Sequence, residues 1–409
     1  LNFGKNILFR NNEGKGFTDI TDTAGVGDTG KGESATWGDY NNDGFLDLYV
    51  VNWACLPECG AEIFQLYRDR LYHNNGDGTF TDVTDSLDFI NTVGAGFAAS
   101  FVDYDNDNDV DLYVVNDKMS NPIDNVLWRN DGDGCEVWCW TNVSEESNAD
   151  TMMHGMGLAV GDYDNDSDLD FYTSTMISPM TLLQNQDGHF KDIALEAGVG
   201  INPGNAVGWG ATFFDFDNDS WQDLYLATTG IPPGPPPQYS GNQPDMEDFH
   251  HDFPDALLKN NGDGTFSDMS TYLPNNEKPA KGVAYADYDR DGHLDLITGN
   301  WNSGYRLLRN VNEDTNHWIS IRLVGSDDIN KDAVGTKVYI TTSEDTVLFQ
   351  QVISGSGLGA GNDLALHFGL GQAMIRSITI HWPNGHEQIV EAPEVNQHLV
   401  IQYQKTSGG

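Results

Sequence analysis

The sequence predicts an all-β protein: a β-propeller of four-stranded blades followed by a small C-terminal β-sandwich-like domain. Three observations predict it. An acidic nine-residue turn recurs five times, a second turn motif alternates with it, and no helical apolar period is sustained along the 409 residues.

The acidic turns read Asp39-Tyr-Asn-Asn-Asp-Gly-Phe-Leu-Asp47, Asp103-Tyr-Asp-Asn-Asp-Asn-Asp-Val-Asp111, Asp162-Tyr-Asp-Asn-Asp-Ser-Asp-Leu-Asp170, Asp215-Phe-Asp-Asn-Asp-Ser-Trp-Gln-Asp223 and Asp287-Tyr-Asp-Arg-Asp-Gly-His-Leu-Asp295. Small residues precede each turn and an apolar run such as Leu48-Tyr49-Val50-Val51 follows it. That pattern is one hairpin. The alternating motif supplies a second hairpin, as in Arg70-Leu-Tyr-His-Asn-Asn-Gly-Asp-Gly-Thr-Phe80 and Ala256-Leu-Leu-Lys-Asn-Asn-Gly-Asp-Gly-Thr-Phe266. Asn-Gly and Asp-Gly between apolar runs favour tight hairpins because the turn needs φ > 0. Two hairpins per repeat make a four-stranded blade.

The repeats stop after Asn310. Short strands then follow, expected at 318–324, 336–340, 377–382 and 398–402. The expected division is therefore a propeller over 1–312 and a β domain over 313–409. A Pro-rich stretch at about 230–254 reads as an insertion on one blade, since Pro cannot donate to a ladder. The chain opens at Leu1-Asn2-Phe3, already inside a patterned segment and without Met, so it is read as a mature or trimmed chain. It shows no signal peptide and no apolar run long enough to cross a bilayer.

Lys and Arg number 20 against 63 Asp and Glu, a formal charge of −43. That excludes nucleic acid and anionic membranes as natural partners and favours cations. At 38% hydrophobic, the chain still has a core to bury.

Calcium takes six to eight oxygen ligands from a flexible loop. Positions one, three, five and nine of each turn supply Asp or Asn, with a backbone carbonyl expected at position seven. The expected ligands are Asp39, Asn41, Asp43 and Asp47; Asp103, Asp105, Asp107 and Asp111; Asp162, Asp164, Asp166 and Asp170; Asp215, Asp217, Asp219 and Asp223; and Asp287, Asp289, Asp291 and Asp295. About five calcium ions follow, one per loop. An ordinary Asp-rich turn without an ion explains one copy but not five in phase. Magnesium fits less well, because it demands octahedral geometry and keeps its waters. Position six needs a tight backbone: Gly44 and Gly292 suit it, Asn108 tolerates it, and Ser167 and Ser220 fit less well.

Four cysteines form two C-x3-C pairs, Cys55/Cys59 and Cys135/Cys139. The expectation is a disulfide within each pair and an oxidising compartment. The competing readings are a four-thiolate zinc site and free thiols.

The D-x-D-x-D-G-x-x-D turn followed by Leu-Asp-Leu-Tyr-Val resembles the FG-GAP/VCBS repeats of integrin α-subunit propellers and bacterial surface proteins. Asn316-His317-Trp318, Gly355-Ser356-Gly357, His367-Phe368-Gly369-Leu370-Gly371 and Trp382-Pro383-Asn384-Gly385 resemble the recurring blocks of the ASPIC/UnbV domain. Together they cover nearly the whole chain and resemble the cartilage acidic protein family and its bacterial relatives. The resemblance implies a secreted or cell-surface, calcium-binding protein of adhesion, matrix or structural type, and no reaction. The departures are the missing glycines of the three middle loops and the Pro-rich insertion.

Two other classes compete. A metal-dependent, lyase-like enzyme would need a site such as His250, His251, Asp252 and Asp255; a solvated loop is the blander account. Met152, Met153, His154 and Met156 resemble a copper set but also a strand leading into the third acidic loop. No P-loop, G-x-S-x-G or H-E-x-x-H is present, so the expectation is a non-enzyme. A glycan-binding module is the other alternative, since ten Trp and sixteen Tyr could line a sugar groove. Six Leu-x-x-Asn hairpins stand against five acidic ones. Either the two termini complete one blade, or an open edge pairs with a neighbouring copy, as homo-oligomer or filament.

Overall fold

The structure is a computed structural model that describes residues 4–53, 68–88, 92–117, 123–176, 179–201, 206–230, 252–274 and 278–405. It is built almost wholly of strands, with helix confined to single turns such as Thr21–Ala24 and Ala194–Ala197.

A short hairpin of β1 (Phe9–Asn11) and β2 (Phe17–Asp19) comes first. Four four-stranded antiparallel sheets follow. The first is β3 (Gly32–Gly38), β4 (Asp47–Asn52), β5 (Arg70–Asn74) and β6 (Phe80–Asp82). The second is β7 (Gly96–Val102), β8 (Asp111–Asn116), β9 (Val126–Gly132) and β10 (Cys139–Asn142). The third is β11 (Gly155–Gly161), β12 (Asp170–Thr175), β13 (Thr181–Gln186) and β14 (His189–Asp192). The fourth is β15 (Ala206–Phe214), β16 (Asp223–Gly230), β17 (Ala256–Asn260) and β18 (Phe266–Asp268). A fifth sheet has three strands, β19 (Ala280–Ala286), β20 (Asp295–Asn300) and β21 (Gly304–Leu308).

Within each sheet the strands pair in chain order, and the first strand packs against the first strand of the next sheet. This is the propeller-like arrangement the repeats predict. The second strand of each four-stranded sheet is buried on both faces, as in Asp47–Asn52 and Asp111–Asn116, which explains its unbroken apolar run. Apolar clusters join consecutive sheets; one unites Tyr49, Val51 and Leu71 of the first with Leu112, Val114 and Trp128 of the second.

Among the described residues the N-terminal hairpin and the fifth sheet are not paired into one sheet. The β1–β2 hairpin forms its own two-stranded sheet, and β21 has no fourth strand paired to it among the described residues. Tyr305 on β21 is 84% exposed.

The C-terminal strands form two sheets. One orders β25 (Leu366–Gly371), β22 (His317–Val324) and β28 (Gln397–Gln402), with β22 and β28 parallel. The other orders β24 (Val347–Gln351), β23 (Lys337–Thr342), β26 (Ile375–His381) and β27 (Glu387–Glu391). Ile319, Ile321, Val338, Ile340, Phe368, Ile378 and Trp382 share one core drawn from both, which is the sandwich.

This sandwich is not a separate appendage. Residues 353–363 run among the innermost strands of the ring. The Ser354 carbonyl accepts from the Trp37 N–H at 3.3 Å and from Thr36 Oγ1 at 2.5 Å. Asn362 Oδ1 accepts from the Tyr285 N–H at 3.1 Å, and the Asp363 N–H donates to the Tyr285 carbonyl at 3.1 Å. Leu358 packs with Met156, Val207 and Trp209. Gly355 is required here: its φ is +84°, and a Cβ would meet the Ala35 carbonyl at 2.5 Å.

Candidate metal centres

Each acidic turn fills the gap between the first and second strands of its sheet. Position one follows the first strand and position nine opens the second. The local fold repeats. Asp39 Oδ1 accepts from the Asp43 N–H at 3.0 Å and Oδ2 from the Gly44 N–H at 2.9 Å. Asp162, Asp215 and Asp287 do the same in their loops, and Asp103 accepts from the Asn108 N–H. Position five accepts from the N–H of position seven in all five loops. Position nine accepts twice, from the N–H of position two and from that of the second motif's Asn, as Asp170 does from Tyr163 and Asn185.

Positive φ falls on two positions. Position six is left-handed in every loop: Gly44, Asn108, Ser167, Ser220 and Gly292 have φ between +74° and +90°. The two serines therefore accept the strained backbone that glycine would take freely. Position four is left-handed too: Asn42, Asn106, Asn165, Asn218 and Arg290 have φ between +56° and +63°. Asn is the residue that best tolerates this conformation.

These asparagines clamp neighbouring loops. Asn42 Nδ2 donates to Asp109 Oδ1 at 2.9 Å and Asn106 Nδ2 to Asp168 Oδ1 at 2.7 Å. Asn165 and Asn218 donate to the carbonyls of Ser220 and Gly292, each in the following loop. The second motif's Asn reaches the other way. Asn130, Asn185, Asn260 and Asn310 donate 2.7 Å bonds to the carbonyls of Tyr40, Tyr104, Tyr163 and Phe216, each one sheet back.

Carboxylates converge inside this belt. Asp103, Asp105 and Asp111 bring oxygens within 4.8 Å of one another, as do Asp162, Asp164 and Asp170, and Asp215, Asp217 and Asp223. Positions one, three and nine thus meet in the three middle loops. Asp107, Asp166 and Asp219, at position five, are not members of these triads; their Oδ1 atoms accept from the position-seven N–H. In the fifth loop Asp287, Asp289 and Asp291 converge and Asp295 lies outside. Among the described residues the first loop has no acidic triad; Asn41 takes position three there, its Nδ2 donating to Asp43 at 3.1 Å.

The three middle triads fit a hard cation. Asp103 Oδ1, Asp105 Oδ1, Asp164 Oδ1 and Asp217 Oδ1 are buried and have no hydrogen-bond partner among the described residues. Burial raises Asp103 to about 6 and Asp162 to about 8, and holds Asp111, Asp170, Asp215 and Asp223 far above the ordinary carboxylate range; neighbouring carboxylates add to the rise. Asp39 and Asp47 rise to about 7 and about 8, again through burial first. A bound cation would relieve this cost directly.

Protein cations stand at the outer oxygens. The residue before the second motif's Asn supplies most of them. Lys259 pairs with Asp217 and with Asp219 Oδ2 at 2.8 Å, and Arg309 with Asp289 at 2.6 Å and Asp291 at 2.8 Å. His73 Nδ1 lies 3.1 Å from Asp47, and Gln184 Nε2 donates to Asp164 Oδ2 at 2.6 Å. Lys337, from the C-terminal sandwich, reaches Asp103 Oδ2 at 2.5 Å, with the lysine side chain 4% exposed. Nothing in the spacing of the sequence points to Lys337; the recurring Asn at position four was a signal that went unread.

The other candidate residues resolve differently. Cys135 and Cys139 form a disulfide across the β9–β10 turn, which removes them from a four-thiolate zinc site. Cys55 and Cys59 lie outside the described residues, as do His250 and His251. Asp252 pairs with Lys278 at 3.5 Å. Asp255 is buried, accepting from Tyr225, Thr228 and Arg306, so it holds the fourth and fifth sheets together. His154 Nδ1 is 3.2 Å from Asp117, while Met156 packs in the apolar cluster around Leu358, which is no copper arrangement.

The FG-GAP-like repeat model matches residues 1–50, 63–114, 103–173 and 248–298, and the ASPIC and UnbV model matches residues 326–408. The chain belongs to the FG-GAP repeat family. Its ASPIC and UnbV domain is the sandwich seated among the repeats. The chain is 24% identical to cartilage acidic protein 1 of Mus musculus over 98% of its length and 59% of that protein. It is 27% identical to the Xenopus tropicalis protein over 68% of its length and 41% of that one. The matched part is therefore 59% of the length of the first relative and 41% of the second. Among solved structures it resembles the V. cholerae biofilm matrix protein Bap1, at 9% identity, a TM-score of 0.34, and coverage of 89% of this chain and 60% of that one. It also resembles the Bacillus licheniformis rhamnogalacturonan lyase PL11, at 11% identity, the same TM-score, and coverage of 91% and 73%. Neither likeness carries an argument at that score. No helix among the described residues is long and apolar enough to cross a membrane.

Proposed function

We propose that this chain is a non-catalytic, extracellular calcium-binding protein with a matrix or adhesive role. One observation carries the calcium reading: acidic triads recur in phase, with buried, unpartnered carboxylate oxygens in the three middle loops. Calcium supplies charge and coordination there; the chain supplies the oxygens, with Asp39, Asn41, Asp43 and Asp47 as the first-loop set. The likeness to cartilage acidic protein 1 supports the matrix role. The non-catalytic reading is supported by where the paired carboxylates lie: in loops repeated in phase from sheet to sheet. Calorimetric titration of the chelated chain with calcium tests the reading. About five sites are expected, and no saturable heat would refute it.

Self-assembly is a second element. The β21 edge and its side chains Tyr305, 84% exposed, and Leu307, 54% exposed, favour strand addition by another copy. Sizing and electron microscopy in calcium test it; a monomer at high concentration would sink it.

A further inference from the structure

The acidic loops lie at the end of the ring that the C-terminal sandwich covers. Asn218, position four of the fourth loop, is held by it twice. His367 Nε2 lies 2.8 Å from Asn218 Oδ1, and the Gly371 N–H donates to the Asn218 carbonyl at 2.8 Å. Between these contacts Gly369 lies flat on the loop: a Cβ there would meet Asp215 Oδ2 at 2.0 Å and Asn218 Cα at 2.5 Å. Lys337 grips Asp103 of the second loop, and Trp318 lies over Gly292 of the fifth, where a Cβ would meet its ring at 2.0 Å.

Seating the sandwich therefore removes water from carboxylates that repel one another. Several of its loop contacts, through Gly369, Gly371 and Trp318, carry no charge and do not neutralise those carboxylates; Lys337 at Asp103 and His398, 3.3 Å from Asp287 Oδ2, are exceptions. A cation in the loop removes the repulsion and fixes the left-handed residues that the sandwich grips. We propose that cation loading of the acidic loops and seating of the ASPIC and UnbV domain are one linked equilibrium, with the fourth loop and Gly369 at its centre. This rests on the calcium reading. Linkage makes it reciprocal: calcium tightens the seat, and the seat tightens calcium by the same factor.

The test uses the full chain, calcium chloride and EGTA. Hydrogen exchange is followed in peptides covering 366–371, with peptides covering 377–381 in the sandwich core as a control for folding. Calcium affinity is measured by calorimetry on the wild type, on Gly369→Ala, and on Gly361→Ala, where an added Cβ meets nothing closer than 3.7 Å. The expected result is slower exchange at 366–371 in calcium with the core peptides unchanged. Gly369→Ala should also weaken at least one site about fivefold or more, while Gly361→Ala binds as wild type. Wild-type affinity in Gly369→Ala, together with calcium-independent exchange at 366–371, overturns the linkage and leaves calcium binding standing. No calcium binding to the wild type overturns both.

Discussion

The third and fifth loops share Asp at positions one, three, five and nine, yet they are different sites. In the third, Asp162 and Asp170 are 1% and 0% exposed, and positions one, three and nine converge. In the fifth, Asp289 and Asp291 are exposed, positions one, three and five converge, and Arg309 pairs with both exposed carboxylates. The third loop sits in a four-stranded sheet with a repeat on either side. The fifth sits in a three-stranded sheet whose third strand is open. Neighbouring strands, rather than the nine residues themselves, set how much field each loop carries and how much a cation relieves.

Removing the cations is the largest perturbation of that contrast. Each site that binds with free calcium at about 100 times its Kd stabilises the fold by about 2.7 kcal/mol. Excess EGTA should therefore lower the Tm by many degrees in a thermal melt followed by circular dichroism. An unchanged melt would break the comparison at its root.

Asp170→Ala should cost about 3 kcal/mol or more in calcium, because it strips a ligand and leaves the N–H groups of Tyr163 and Asn185 buried without an acceptor. Asp295→Ala, outside the fifth triad, should cost about half as much. Denaturant unfolding of the two variants gives the ratio, and equal losses would show that membership of the triad does not separate position nine of the two loops.

The pH dependence of the chelated chain sharpens the same point. Burial raises Asp39, Asp47 and Asp162 from 3.8 to about 7, about 8 and about 8. A carboxyl raised on folding contributes stability that is full below its unfolded value and is lost as pH rises through its folded value. In EGTA the Tm should fall between about pH 5 and pH 8, and in calcium that slope should flatten. A slope that is the same in both conditions contradicts the assignment.

Leu307→Ser is the smallest. The side chain is 54% exposed on the open edge, so unfolding should shift by no more than about 0.5 kcal/mol while any self-association weakens. Sedimentation in calcium separates the two effects.

Much of this was legible in the residues. The five turns, the alternating hairpins, four of the seven sandwich strands and the left-handed position six follow from local pattern, because each is decided within about ten residues of chain; β24, β25 and β27 did not stand out. What pattern missed is decided by distance. The Ser34–Gly357 hydrogen bond spans 323 residues, and no period in the sequence announces it. Within the run Gly355-Ser356-Gly357-Leu358-Gly359-Ala360-Gly361, the close approach of Gly355 to the Ala35 carbonyl is likewise invisible to local pattern. The spacing alone does not say which of the four positions converge: one, three and nine do so in the middle loops, and one, three and five in the fifth.

The asparagine staples also bear on how such a chain is made. Asn130, Asn185, Asn260 and Asn310 each donate to a sheet that precedes them in the chain. A blade emerging during synthesis therefore finds its acceptor already built, and assembly can proceed in the direction of translation, one unit seating on the last. Residues 353–363 arrive after every blade strand has been made, and they are the ones that thread among the inner strands. A segment synthesised after all the blade strands is thus the one that ties the first sheet to the fifth.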